Sequence, residues 1–141
     1  MNQLTISNVL VCVTSQPACR RLILAGVELA KQYKVPVKVV SVQSPGLVSA
    51  KTSETLQTLY NISSKLGAEM TVYFNDDPAL TVAVHARKTN AVHIVSGAPG
   101  ADSNRFIETV KGLLPEVPMS IVDEDDQMVT FPALTAQVGR V

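Results

Sequence analysis

Short runs rich in Val and Ile alternate along the chain with longer stretches whose apolar residues recur every three or four positions. NVLVCV (8–13), VPVKVVSV (35–42), EMTVYF (69–74), AVHIVS (91–96) and MSIVD (119–123) predict five strands. Several of them lack polar alternation, which suits parallel strands covered on both faces. Between the strands, residues 17–34 place Leu22, Ile23, Gly26, Leu29, Ala30 and Tyr33 on one helical stripe, with Ser15 and Pro17 suited to its cap and first turn. A second helix is predicted over about 53–66 and is stopped by Gly67. A third follows Asp77-Pro78 to about Lys88, and a fourth runs from about Ser103 to Leu114. The order β-α-β-α-β-α-β-α-β predicts an α/β fold: a doubly wound five-stranded parallel sheet, strand order 3-2-1-4-5, with helices on both faces.

Composition narrows this picture little and excludes several functions. The chain has 141 residues, 46% apolar and 17% charged, with 12 basic residues against 12 acidic ones. That length suits one domain and buries about two-thirds of the surface of the unfolded chain. The zero net charge supplies no overall field toward nucleic acid or anionic lipid. No basic leader opens the sequence and no stretch approaches the length of a membrane span, so the expected location is cytoplasmic. Cys12 and Cys19 fall in an apolar strand and an early helical turn, where buried free thiols are expected, although a helix N-terminus would also activate Cys19.

In open α/β sheets ligands bind beyond the carboxyl ends of the strands, where strand order reverses. Placed between the first and fourth strands, that point is walled by VTSQP (13–17) and SGAPGADSN (96–104). Gly97 and Gly100 shape either a ligand loop or a tight strand-to-helix turn. Asp102, Ser103 and Asn104 are able to cap the helix that follows, and Val13 and Val42 either flank a planar ring or belong to the core. The sequence contains no Gly-x-x-x-x-Gly-Lys-Ser/Thr, no Gly-x-Ser-x-Gly and no metal-like spacing around His85 and His93, which read as structural histidines. Asp77 before Pro78 reads as a helix cap, and DEDD (123–126) as a solvated exit from the sheet. These readings predict a protein that is not an enzyme.

IVSGAPG (94–100), NDDPALTVAVHARKTNAVHIV (75–95) and VLVCVTSQPACRRLILAGVELAKQYKVPVKVVSV (9–42) resemble the universal stress proteins over roughly residues 8–123, and the last of these is also similar to the universal-stress-like domain of Kdp-type sensor kinases. The resemblance implies a Rossmann-like fold of the adenine nucleotide alpha hydrolase type and a regulatory role. The candidate ligand-binding residues are Val13, Thr14, Ser15, Val42, Gly97, Gly100, Ser103 and Asn104, of which Gly97 and Gly100 supply the family's Gly-x-x-Gly. Members that bind ATP usually carry an acid after the first strand, where Thr14 and Ser15 stand here. After the Gly-x-x-Gly motif and nine intervening residues they also place Gly followed by a hydroxyl residue, entering the last helix; the same spacing here reaches Val110 and Lys111. The expected function is therefore a degenerate nucleotide-binding crevice that holds ATP or another adenine nucleotide weakly. The alternative is a ligand-free dimeric module that docks a protein partner.

The resemblance also implies homodimers joined along the fifth-strand edge. Residues 1–126 form the expected domain, and 127–141 a C-terminal extension in which QMVTF (127–131) is suited to pair with that edge or with its symmetry mate. The other possibility is that the tail folds back and covers the edge of its own subunit.

Overall fold

The computed structural model describes residues 6–98 and 104–134. β1 (Asn8–Cys12), β2 (Val37–Gln43), β3 (Glu69–Phe74), β4 (Ala91–Gly97) and β5 (Met119–Val122) pair in parallel in the order 3-2-1-4-5. α1 (Arg20–Tyr33) and α2 (Ala50–Lys65) cover one face; α3 (Pro78–Thr89) and α4 (Asn104–Leu113) cover the other. β1, at the centre, is buried along its whole length, because alternate residues face the two helical layers: Val9 and Val11 pack toward α1, Leu10 and Cys12 toward α3 and α4. α1 lies so close to β1 that a Cβ at Gly26 would collide with Val11, which is why the helical stripe carries a glycine there.

Two expectations about this framework require correction. The sheet has six strands, not five: β6 (Met128–Phe131) runs antiparallel to β5, with Ser120 opposite Thr130 and Val122 opposite Met128. Part of the extension thus pairs with its own β5, and that edge is closed within the chain. The reason lies in the five residues that precede it. The Asp123 carboxylate accepts the N–H groups of Asp125 and Gln127, and Asp126 takes a left-handed φ of 61°, so DEDDQ forms a tight turn at the solvated exit from β5. The second correction concerns Ser15 and Pro17. Pro17 opens a single 3-10 turn, Cys19 occupies the N-cap of α1, and Ser15 caps nothing.

The remaining helix signals correspond to observed contacts. The Asp77 carboxylate accepts the N–H of Leu80, Ser49 does the same for Thr52, and Gly67 takes φ +75° beyond α2. Among the described residues no helix is long and apolar enough to cross a membrane.

Candidate functional site

Strand order reverses between β1 and β4, and their carboxyl ends diverge there beneath the first turns of α1 and α4. The result is a crevice of about 750 Å³, within the size range of small-molecule sites. Its inner surface is apolar: Val13, Leu22, Val42, Val82, Phe106 and Ile107 converge from both helical layers. Thr14, Gln16, Ser96, Arg21 and Glu124 supply polar groups. Val13 is held by its own N–H, which donates to the Val40 carbonyl at 2.9 Å.

Of the residues singled out from the sequence, Val13, Thr14, Val42 and Gly97 line this crevice. Ser15 lies between Thr14 and Gln16 but does not line it. Asn104 begins α4, while Gly100 and Ser103 fall outside the described residues. A Cβ at Gly97 would reach Leu22 Cδ1 at 3.4 Å, a contact at the tight end of the ordinary range, so a side chain at that position would grow toward a residue lining the crevice.

The lining includes residues that local sequence patterns did not reveal. Thr14 directs both its N–H, at 3.3 Å, and its hydroxyl, at 3.4 Å, to the Cys19 sulfur, closing the strand-to-helix turn upon a buried thiol. Cys12 lines the crevice as well, and burial pushes its thiol up to about 12, leaving it neutral. The largest omission is Arg21. Its guanidinium donates to the carbonyls of Asp123 at 2.6 Å and Val122 at 3.5 Å, and approaches the Asp126 carboxylate at 3.6 Å. That arginine fastens the β5–β6 turn across the end of the sheet and brings Glu124 to the crevice wall. An Arg in a helical first turn carries no local sign of such a partner, because the acceptors lie about a hundred residues away.

The phosphate-loop comparison also changes once helix positions are known. α4 has begun by Asn104, four positions after Gly100, so Val110, which follows the Gly-x-x-Gly motif after nine intervening residues, is well inside the helix. Val110 is 1% exposed in the core, and Lys111 places its ammonium 3.7 Å from the centroid of the Phe131 ring, bracing α4 against β6. Neither residue occupies the place of a phosphate-gripping pair. Replacing Val110 by glycine would open the core rather than restore a phosphate contact.

The two histidines are away from the crevice. His93 is hydrogen-bonded through Nδ1 to the Tyr33 hydroxyl and through Nε2 to the Ser120 hydroxyl. His85 is hydrogen-bonded through Nδ1 to the Tyr73 hydroxyl. Burial lowers the pKa of both, and the charges of Lys38 and Lys88 push His85 further in the same direction against an opposing pull from Glu69.

No family model matches the chain, and no curated protein matches it by sequence. Its fold is similar to that of several solved structures. One is the universal stress protein from Archaeoglobus fulgidus in complex with dAMP, 22% identical, covering 85% of this chain and 98% of that one, with a TM-score of 0.57. Another is a protein of the universal stress protein family from Burkholderia pseudomallei, 20% identical, covering 86% and 98%, with a TM-score of 0.62. A third is a universal stress protein in complex with cAMP, 15% identical, covering 85% and 98%, with a TM-score of 0.64. The chain therefore has the universal stress protein fold.

Proposed function

We propose that the chain is a regulatory, non-catalytic module of the universal-stress type whose crevice between β1 and β4 binds an adenylyl compound weakly. The observation that carries this reading is the convergence of Val13, Thr14, Val42 and Gly97 on one apolar crevice at the point where strand order reverses. Structural neighbours in complexes with dAMP and cAMP support the choice of ligand class.

A thermal-shift panel of adenosine, AMP, cAMP and ATP tests the reading. A compound at ten times its Kd should raise the melting temperature by about 5 °C, and Gly97→Leu, which extends a side chain toward Leu22, should abolish the rise. If no compound shifts the wild-type protein, the ligand-free interaction module is favoured instead.

The oligomeric proposal is a homodimer joined through the outer edge of β6, and the exposure of Met128, Val129 and Phe131 supports it. Antiparallel pairing of β6 with its symmetry mate satisfies a two-fold axis and would continue the sheet. Light scattering should give a dimer mass for the wild type and a monomer mass for Val129→Pro; a monomeric wild type at tens of micromolar overturns the proposal.

A further inference from the structure

The zero net charge conceals a segregation of charge along the strand direction. Among the described residues, Asp76, Asp77, Asp123, Glu124, Asp125 and Asp126 lie at the carboxyl ends of the strands, the end where the crevice opens. Arg20, Arg21, Lys51 and Arg105 oppose them from the helix starts at the same end. Arg20, Lys51 and Arg105 are exposed and do not line the crevice. Arg21, the one cation among the described lining residues, already donates to the Asp123 carbonyl at 2.6 Å and faces the Asp126 carboxylate at 3.6 Å. The one carboxylate in that lining, Glu124, is in no ion pair among the described residues.

A phosphate entering this crevice would meet a carboxylate on the wall and an arginine whose Nη1 already donates to the β5–β6 turn. An uncharged ribose and purine would meet Thr14, Gln16 and Ser96 above an apolar interior, and would forfeit nothing to like-charge repulsion. We infer that the crevice selects an uncharged purine nucleoside and discriminates against its phosphorylated forms. This inference rests on the adenylyl reading above and specifies which end of the compound the site accepts.

Titration calorimetry of the full chain with adenosine, AMP and ATP, at low and high salt, tests it. Adenosine should bind about tenfold more tightly than ATP at an ionic strength of about 50 mM, with AMP between them. Raising the ionic strength to about 0.5 M should strengthen ATP binding by screening the repulsion and leave adenosine unaffected, narrowing the ratio. Glu124→Gln should narrow it as well, by raising affinity for ATP more than for adenosine. If ATP binds as tightly as adenosine or more so, or weakens as salt is added, the site grips phosphate and the selectivity is overturned while the adenylyl reading stands. If neither adenosine nor either nucleotide binds, both readings fall together.

Discussion

Two histidine–tyrosine pairs, one on each face of the sheet, share a geometry and differ in what lies behind them. His93 meets Tyr33 and His85 meets Tyr73, each with a 2.8 Å hydrogen bond at Nδ1 and near-perpendicular rings about 5.5 Å apart. Both imidazoles are buried. Behind His93, Nε2 is bonded to the Ser120 hydroxyl at 2.7 Å, and Ser120 to the Thr130 hydroxyl at 2.8 Å. A continuous polar line thus runs from α1 through β4 and β5 to β6. Behind His85, Nε2 is buried and has no hydrogen-bond partner. The same residue pair therefore serves as a cross-brace on one face and carries an uncompensated polar atom on the other. Burial of a polar group stabilises only to the extent that its partners are present.

The largest effect should come from breaking the satisfied pair without changing its size. His93→Leu keeps roughly the same volume but removes hydrogen bonds to Tyr33 and Ser120, and should cost about 2 kcal/mol of stability. Urea unfolding with an unchanged m-value checks this. A loss below about half a kcal/mol would mean that packing, not hydrogen bonding, holds His93 in place.

A smaller loss should follow when the His93 side is made to imitate the His85 side. Ser120→Ala leaves Nε2 of His93 buried without a partner and removes the acceptor or donor that Thr130 meets. It should cost about 1 to 1.5 kcal/mol. Because Thr130 belongs to β6, amide exchange should accelerate at 128–131 more than in β1.

Acidification should weaken both sides. Each histidine has its folded pKa lowered from 6.5, chiefly by burial, so at mildly acidic pH the unfolded chain binds the proton more readily than the folded one. The stability gained from keeping the rings neutral is fully present above pH 6.5 and is lost as pH falls from 6.5 toward the folded values. Urea midpoints measured from pH 7.5 downward should show this decline, and the double variant His85→Leu/His93→Leu should flatten it. A slope that survives in the double variant would show that the two histidines do not carry the acid sensitivity.

Much of the framework was legible because it is written locally. The β-branched runs at 8–13 and 91–96, the Asp77-Pro78 cap and the Gly67 stop each announce an element through their own residues. The strand order follows from that alternation and placed the crevice between β1 and β4. What was not legible depends on contacts far apart in sequence. Arg21 reaches acceptors in the β5–β6 turn, and Lys111 finds Phe131, only after the sheet has closed. Charge segregation was equally invisible, since a count of 12 against 12 cannot report which end of a strand each charge occupies. The spacing from Gly100 to Val110 misled for a related reason: it counts residues, whereas phosphate geometry depends on where α4 begins. The turn before β6 is solvent-exposed, as its run of acids implies, but the internal hydrogen bonds that fold it back are not written in that run.

The smallest effect, and the sharpest contrast with His93→Leu, is expected from His85→Leu. The substitution removes one hydrogen bond, to the half-buried Tyr73. It also removes the unpartnered Nε2 and replaces the ring with a side chain that suits the apolar layer of Val82, Ala83 and Ala86 around it. The lost bond and the relieved polar burial have opposite signs and similar size, about 1 kcal/mol each, so the net change should lie within about half a kcal/mol of zero. The comparison with His93→Leu cancels what the two substitutions share: the same residue change, a tyrosine partner and a buried site. What remains is the second hydrogen bond, the one His93 makes to Ser120 and His85 lacks. If the two variants lose stability equally, that bond contributes nothing and the line from α1 to β6 is not a brace; a difference of about 2 kcal/mol assigns the bracing to it.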